Sequence, residues 1–440
     1  MADTMNTKMT RRSFLAAAGA AFPVIIPASA LGKNGKESPS ERITLGFIGI
    51  GGQGRFLLGQ FLKKQDAQIV AVCDVHTERR LRGRTMVEEA YSERFGTSYT
   101  GCDNYGDFRD VIARKDIDAV VIAVPDNWHA IPAIMAADAG KDVYGEKPLA
   151  VTIAESRAIV DAVKRNNIVF QTGSMRRSWE RFRAGCEIVR NGLIGELHTI
   201  NSSVPSGWGC DLQPETPIPE GFDYDMWLGP APWQPHTEMR WTPRPSFLLD
   251  YGNGMITDLG THFNDIAQWG HGTEYTGPIS IDGRGEFPKT GLYDTMLHCH
   301  IEYEFADGIR MTCVDKHPKP KISARFEGTE GWIDIGYNET TVSNPSMLTK
   351  VFGPNDTRLY RSLDHYNNFL SCIKTRSETA APAEVGHRSL SLCILGNISM
   401  LLGRKLKWDP DKEIFPGDDE ANRMLSRSMR APWKLPAVQA

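Results

Sequence analysis

The sequence has no CxxC pair, no surplus of basic residues and no apolar run long enough to anchor a chain in a bilayer. Its eight cysteines are scattered along the chain, so a zinc site or a redox dithiol has little support, and we expect no bound metal. The net charge of -4 argues against a nucleic-acid partner, because such proteins usually carry a basic surplus. The lack of a long apolar run argues against a stable membrane span.

Residues 1–30 contain, in the right order, the features of a twin-arginine export signal. Arg11 and Arg12 precede an alanine-rich apolar stretch that ends near Ile26, and small residues follow at 28–30. We therefore expect residues 1–30 to be a signal peptide recognised by the twin-arginine machinery and residues 31–41 to be a linker. The protein would then be periplasmic or otherwise exported. The alternative is a disordered basic tail with a short apolar patch.

Residues 42–170 alternate between short apolar runs and helical patterns, which is typical of a parallel sheet covered on both faces. The chain has 440 residues and 41% hydrophobic residues, an ordinary globular composition whose length fits two or three domains. We predict an α/β fold whose N-terminal domain, residues 42–170, is a Rossmann-type doubly wound sheet. Its predicted strands are 43–50, 69–73, 117–124 and 142–144, and its predicted helices are 55–64, 131–139 and 153–165.

The pattern changes after about residue 195 to alternating strands joined by turns. We predict that residues 171–440 form a C-terminal α+β domain with a mostly antiparallel sheet. Its predicted strands are 197–204, 296–304, 308–315, 322–327 and 331–335. Helices are predicted at about 364–376 and 387–402, and the later helix could pack back on the first domain.

A glycine-rich turn and a following acidic residue predict a dinucleotide site. The segment from Gly49 to Gly54 satisfies GxGxxG, follows a predicted strand and opens a predicted helix, as close approach to a pyrophosphate requires. Asp74 ends the second strand, where a carboxylate can accept from ribose hydroxyls and repel a 2′-phosphate. We predict NAD(H) in preference to NADP(H), although Arg79 and Arg80 are close in sequence. The predicted cofactor-binding residues are Gly49, Gly51, Gly52, Gln53, Gly54 and Asp74.

Two further motifs carry candidate catalytic residues. Lys147 follows the fourth predicted strand and would point into the crevice at the carboxyl ends of the sheet, where it could orient a hydroxyl and relay its proton. Asp258 and His262 are spaced i and i+4, so a helix would place them on one face, with Asp258 orienting an imidazole base. On spacing alone, surface Glu–Lys and Asp–His pairs are the commoner explanations.

These motifs, together with Val-Pro-Asp-Asn-Trp-His at 124–129 and Glu-Lys-Pro at 146–148, occur in an order that resembles the Gfo/Idh/MocA family of oxidoreductases. The resemblance covers nearly all of the chain beyond the predicted signal. It implies a Rossmann domain, an open C-terminal sheet for substrate and subunit contacts, and a homo-oligomer. It also implies that Lys147 and His262 handle the proton. The nicotinamide side would be lined by Pro125, Asp126, Trp128, His129, Glu146 and Lys147.

Three weaker candidates concern the substrate. Trp208 belongs to a Trp- and Pro-rich connection, residues 205–250, and aromatic faces stack on sugar rings, although packing is the commoner fate of tryptophan. Arg176 belongs to an arginine cluster that could meet an anionic substrate, although a solvated face is commoner. Asp265 lies one helical step beyond His262 and is the third candidate.

The sequence therefore predicts an NAD(H)-dependent oxidoreductase that acts on a secondary hydroxyl or keto group of a sugar, glycoside or cyclitol. Because an exported enzyme cannot readily exchange soluble NAD, we expect the cofactor to be tightly held. Two alternatives stay open. One is an NAD-dependent glycoside-cleaving enzyme that oxidises C3 transiently and eliminates the aglycone, as some family members do. The other is a non-catalytic nucleotide-binding sensor.

Overall fold

The computed structural model describes residues 41–316 and 322–436, so the predicted signal peptide and nearly all of the predicted linker lie outside the described residues. The strands are β1 Ile43–Ile48, β2 Ala67–Cys73, β3 Asp103–Tyr105, β4 Ala119–Ile122, β5 Asp142–Gly145, β6 Phe170–Thr172, β7 Leu197–Ser203, β8 Ser280–Glu286, β9 His298–Glu304, β10 Arg310–Val314, β11 Ser323–Gly328, β12 Gly331–Gly336, β13 Thr340–Val342 and β14 Leu406–Lys407.

The helices are α1 Gly52–Leu62, α2 Thr77–Phe95, α3 Phe108–Ala113, α4 Ala130–Asp138, α5 Ile153–Asn166, α6 Glu180–Arg190, α7 Tyr224–Leu228, α8 Glu238–Trp241, α9 Met255–Asp258, α10 Gly260–His271, α11 Ser346–Thr349, α12 His365–Thr375, α13 Ala383–Leu402 and α14 Asp419–Arg423. Short 3₁₀ turns occur at Asp126–Trp128, Met175–Ser178 and Pro245–Phe247.

The first sheet has six parallel strands in the order β3-β2-β1-β4-β5-β6. This is the doubly wound order of a Rossmann domain, and it confirms the predicted fold class. The order reverses between β1 and β4, which opens a crevice outside the carboxyl ends of these strands. Strand β6 extends two residues beyond the domain boundary predicted at residue 170. A strand of three residues is too short to be recognised in the sequence as an apolar run.

Alternation along β1 divides the side chains between two cores. Leu45 and Phe47 are fully buried on one face with Phe61 of α1, and the ring centroids of the two phenylalanines lie 5.9 Å apart. Phe369 of α12 belongs to the same cluster, so a helix from the C-terminal half of the chain helps to cover this face. The opposite face is continuous with the larger core of the second half, which contains Ile48.

The second sheet has eight strands in the order β13-β12-β11-β7-β10-β9-β8-β14. Strands β7 and β10 pair in parallel, and the remaining described pairs are antiparallel. This confirms a second, mostly antiparallel sheet. Strands β8, β13 and β14 are not among the predicted ones.

Helix α13 lies in the middle of the larger core. It packs against β8, α10 and α5, and His387 Nδ1 lies 2.8 Å from Ser156 Oγ of α5. Among the described helices it is the one that is long and apolar enough to cross a membrane, yet 83% of its most apolar stretch is buried inside the protein. A core helix meets the same criteria of length and composition.

Candidate active site

A cavity of about 570 Å³ opens at the carboxyl edge of the first sheet. The glycine turn after β1, Asp74 after β2, Pro125 after β4 and Lys147 after β5 line it, as does His262 from the second half of the chain. A cavity of this size at the switch point of a doubly wound sheet is the expected place for a cofactor and a small substrate. The structure thus brings most of the predicted residues together.

The glycine turn is shaped by two close approaches of backbone to backbone. Gly49 has a φ of 93°, and a Cβ there would overlap the carbonyl oxygen of Ala123. A Cβ on Gly54 would overlap the carbonyl oxygen of Gly49, whereas one on Gly52 would meet nothing within 4 Å. The cavity side of the turn is therefore open at the positive end of the eleven-residue helix α1. This arrangement fits the pyrophosphate of a dinucleotide.

Asp74 is buried at the end of β2 and is held by backbone amides. Its Oδ2 accepts from Ile50 N at 2.8 Å and its Oδ1 from His76 N at 2.9 Å. Each carboxylate oxygen keeps a lone pair that a ribose hydroxyl could use. Nearby, the Arg79 guanidinium stacks over the Trp241 ring at 4.7 Å, and burial lowers its pKa. This end of the cavity thus carries one acid and one stacked arginine.

Glu146 links the glycine turn to the lysine segment. Gln53 Nε2 donates to Glu146 Oε1 at 2.8 Å, and the Lys147 backbone N–H donates to Glu146 Oε2 at 3.1 Å. Burial raises the pKa of the Glu146 carboxyl, although Lys147 and Gln53 oppose this. Gln53 and Glu146 therefore fix the position of two strand ends relative to each other.

The loop after β4 forms one wall of the cavity and is tied down at two places. Trp128 Nε1 donates to the carbonyl oxygens of Met226 at 3.0 Å and Trp227 at 2.9 Å. The ring nitrogens of His129 lie 2.5 Å from Pro148 O and 2.9 Å from Val124 O. Both side chains therefore shape the wall through buried packing and backbone contacts.

Asp126, in the same loop, has an unusual environment. Its Oδ2 atom is buried and has no hydrogen-bond partner within residues 41–316 and 322–436. A Cβ on Gly252 would lie 2.9 Å from this atom. Burial raises the pKa of the carboxyl to about 7, with Asp258 adding to the rise and Lys147 opposing it.

Lys147 is held by Asp258. Its Nζ donates to the Asp258 backbone oxygen at 2.7 Å and to Oδ1 at 2.5 Å, while Arg244 donates to Oδ2 at 3.1 Å. Burial alone would raise the pKa of Asp258, but Lys147 and then Arg244 hold it below the ordinary value. The carboxylate is therefore ionised and fixes the ammonium group at the cavity wall.

The predicted pairing of Asp258 with His262 is wrong. Helix α9 ends at Asp258 and α10 begins at Gly260, so the two residues do not share one continuous helix, and both oxygens of Asp258 bind cations instead. The Nδ1 atom of His262 is buried without a partner in the described part of the chain. Burial, and then the charges of Arg176 and Lys147, lower the pKa of His262 well below 6.5. The imidazole is therefore neutral.

The three substrate candidates lie in different environments. Arg176 lines the cavity. Asp265 does not reach it, because its carboxylate binds Arg177 through three contacts of 2.8–2.9 Å and accepts from Ser389. Trp208 is 47% exposed and stacks on Phe247, outside the residues that line the cavity. We therefore correct the role of Asp265: it neutralises a buried arginine.

Sequence reasoning missed Arg244 and Tyr337, which both line the cavity. Arg244 lies in the Trp- and Pro-rich connection, as does Trp241, so that unusual composition was the available signal. In the described ranges 41–316 and 322–436, no group of three or more His, Cys, Asp or Glu residues could hold a metal ion.

Comparisons with known proteins agree with this geometry. The profile of the Gfo/Idh/MocA oxidoreductase family described as an NAD-binding Rossmann fold matches residues 43–174. The profile described as the C-terminal alpha/beta domain of the oxidoreductase family matches residues 187–435. Together the two profiles span both sheets and the cavity between them.

Individual relatives match a smaller part of the chain than the two profiles do. A glycosyl hydrolase family 109 protein of Shewanella sp. is 32% identical over 211 residues, 42% of this chain and 44% of the relative. A levoglucosan dehydrogenase of Pseudarthrobacter phenanthrenivorans is 30% identical over 193 residues, 42% of each. The matched segment thus spans less than half the length of these relatives.

The fold is also seen in solved structures. The WlbA dehydrogenase from Bordetella pertussis, solved with NADH and UDP-GlcNAcA, superposes with a TM-score of 0.62 over 84% of this chain and 99% of that one, at 17% identity. With both family profiles matched and the sheet order and glycine turn in place, the chain belongs to the Gfo/Idh/MocA family of NAD-binding oxidoreductases.

Proposed function

We propose that this protein is an NAD(H)-dependent oxidoreductase that acts on a secondary hydroxyl or keto group of a sugar, glycoside or cyclitol. The observation that carries the proposal is the arrangement of Lys147. Its ammonium group has three N–H donors, and two of them are directed at Asp258. The third is left for a ligand in the cavity, beside a neutral His262.

Lys147, His262 and Asp258 would have different roles in the reaction. The third donor of Lys147 would hold the substrate oxygen, and neutral His262 would take the hydroxyl proton. When bound, NAD⁺ supplies the hydride acceptor for the hydrogen on the same carbon. The products are a ketone, NADH and one proton, which His262 passes on. Asp258 is a positioning residue, because its oxygens hold Lys147 and Arg244.

The glycine turn, Asp74 and the Gln53–Glu146 contact would hold the cofactor. We propose a preference for NAD(H) over NADP(H), because a 2′-phosphate would approach the buried Asp74 carboxylate. The guanidinium of Arg79, stacked on Trp241, is the nearby positive charge that opposes this preference. Competitive titration with NADH and NADPH tests the preference, and tighter binding of NADPH would contradict it.

The main test compares Lys147→Met and His262→Asn with the unmutated protein. Purified protein is given NAD⁺ and a panel of glucose, galactose, myo-inositol and their methyl derivatives, and NADH is followed by absorbance. We expect kcat/KM to fall by about 10²–10⁴ in either variant while nucleotide affinity is kept. Lys350→Met, which changes an exposed lysine, is the control. Unchanged turnover in Lys147→Met would favour the non-catalytic sensor.

The similarity to a glycosyl hydrolase family 109 protein supports a second candidate function. The same Lys147 and His262 could serve transient oxidation at C3, elimination of the aglycone and reduction of the product. Product analysis separates the two functions: a cleaved glycoside without net NADH supports the second, and a stable keto sugar supports the first.

We also propose that the protein is exported through the twin-arginine machinery, acts as a homo-oligomer and carries its cofactor through turnover. The order of Arg11, Arg12, the apolar stretch and the small residues at 28–30 supports export. Fractionation of cells that express the unmutated chain or a variant with both arginines changed to lysine tests it. Equal distribution of the two chains would contradict export by this route.

A further inference from the structure

Arg176 is buried in the cavity wall without a counter-ion. It lies on the 3₁₀ turn Met175–Ser178 and is only 5% exposed. Its guanidinium sits over the rings of Phe263 at 5.0 Å and Tyr337 at 5.1 Å. Its guanidinium forms no hydrogen bond or ion pair with any residue in 41–316 or 322–436, and its Nε is buried and unsatisfied. The aromatic faces stabilise the charge, but they leave the N–H donors unused.

The neighbouring Arg177, on the same turn, shows how a buried arginine is neutralised when its role is purely structural. Arg177 is 4% exposed, and its guanidinium makes a bidentate pair with Asp265, Nε to Oδ2 and an Nη atom to Oδ1. Buried charges are normally paired in this way because an uncompensated one is costly. Arg176 departs from the rule and faces the cavity, which indicates that its partner is a ligand.

The charge balance around Arg176 points to the sign of that ligand. Lys147, Arg176 and Arg244 bring three cations to this end of the cavity, against the ionised carboxylate of Asp258. The pKa of Asp126 is raised to about 7, and burial also raises the pKa of Glu146. Asp126 is therefore not a full counter-charge near pH 7, and Glu146 is bound to Gln53 and to the Lys147 backbone N–H. The cations Lys147, Arg176 and Arg244 thus outnumber the carboxylates that pair with them at this end of the cavity.

We propose that Arg176 binds an anionic group of the substrate, and that the substrate is a carboxylate-bearing sugar or its glycoside. This rests on the proposed function and deepens it. A guanidinium presents paired N–H donors in a planar fork that matches a carboxylate, and such charge-assisted contacts are strong. The carboxylate would take the place at Arg176 that Asp265 takes at Arg177, and the sugar ring would extend toward Lys147 and His262.

The test measures binding apart from turnover. Protein loaded with NADH is titrated calorimetrically with glucuronate and galacturonate, and with their methyl esters, which keep the ring but lose the charge. We expect at least one acid to bind about tenfold or more tightly than its ester, the lower end for a charge-assisted hydrogen bond. Arg176→Gln should abolish the difference, Arg176→Lys should keep part of it, and Arg284→Gln, an exposed control, should leave it intact.

Equal affinity for acid and ester in both pairs would overturn the proposal, and this comparison on the unmutated protein needs no variant to fold. Discrimination that survives in Arg176→Gln would also overturn it. If neutral sugars are oxidised without any preference for acids, this inference fails and the proposed oxidoreductase stands. If acids bind at Arg176 but no hydrogen moves to the nucleotide, the proposed oxidoreductase fails and the anion site stands.

Discussion

Replacing Asp126 with Asn should change how the stability of the protein depends on pH. The Oδ2 atom of Asp126 is buried and has no hydrogen-bond partner in the described residues, and burial raises the pKa of this carboxyl from 3.8 to about 7. Below pH 3.8 the group is protonated in both the folded and the unfolded protein. Between pH 3.8 and about 7 the unfolded chain loses this proton and the folded protein keeps it, so the free energy of unfolding falls as the pH rises.

The size of the effect follows from the same numbers. A pKa that moves from 3.8 to about 7 corresponds to a loss of about 4 kcal/mol once the pH exceeds 7. With an unfolding entropy of about 2.1 cal/mol/K per residue over about 400 residues, this equals about 5 °C in Tm. An amide at position 126 does not titrate, so the variant should escape this loss.

The assay is a series of thermal unfolding scans from pH 4 to pH 8 on both proteins. The Tm of Asp126→Asn minus that of the unmutated protein should rise by about 5 °C across the series, with most of the rise below pH 7. Asp211→Asn, which changes an exposed carboxylate, should give a constant difference. Parallel curves for Asp126→Asn would refute the reasoning, because they would show that the carboxyl has an ordinary pKa.

Three further outcomes are expected. Arg177→Met should lower the free energy of unfolding in urea by about 3–5 kcal/mol, because it leaves Asp265, 1% exposed, without its partner; a loss below about 1 kcal/mol would contradict this. Gly54→Ala should abolish NADH binding in equilibrium dialysis, since its Cβ overlaps a backbone oxygen, whereas Gly59→Ala on the same helix meets nothing within 4 Å and should bind normally. Asp74→Ser should shift the NADPH-to-NADH affinity ratio about tenfold toward NADPH by removing one buried charge; an unchanged ratio would contradict the assigned role.

The first domain could be predicted because its signals are local. A turn such as Gly49–Gly54 is recognised from a few adjacent residues, and the apolar run before it shows the strand. The shortest strands, β3 and β6, and the polar helix α2 lack such runs, so their existence depends on neighbours that are distant in sequence.

Strand β8 shows why the second domain is harder to predict from the sequence. Its sequence contains Gly283 and Gly285, which lower strand propensity. Helix α13 explains them: a Cβ on Gly283 would lie 2.9 Å from the carbonyl oxygen of Gly396, and one on Gly285 would lie 2.8 Å from Met400 Sδ. The glycines let a helix lie against the strand, and that requirement is visible only in the folded protein.

The site residues were found more readily than their partners. Lys147 and His262 were identified from motif and resemblance. The i, i+4 spacing, however, paired Asp258 with His262, whereas the structure pairs it with Lys147. The contact between Lys147 and Asp258 joins residues 111 positions apart, and a break between α9 and α10 turns Asp258 toward it. Such a contact leaves no trace in local spacing.

The most direct test of the account is to follow one hydrogen. Protein loaded with NAD⁺ is incubated with uniformly deuterated glucose, galactose, their methyl glycosides and the corresponding uronates, and the nucleotide is then analysed by mass spectrometry. We expect deuterium in the reduced nucleotide with at least one of these compounds, and none when Lys147→Met replaces the unmutated protein. Nucleotide that stays bound but acquires no deuterium from any compound would contradict it.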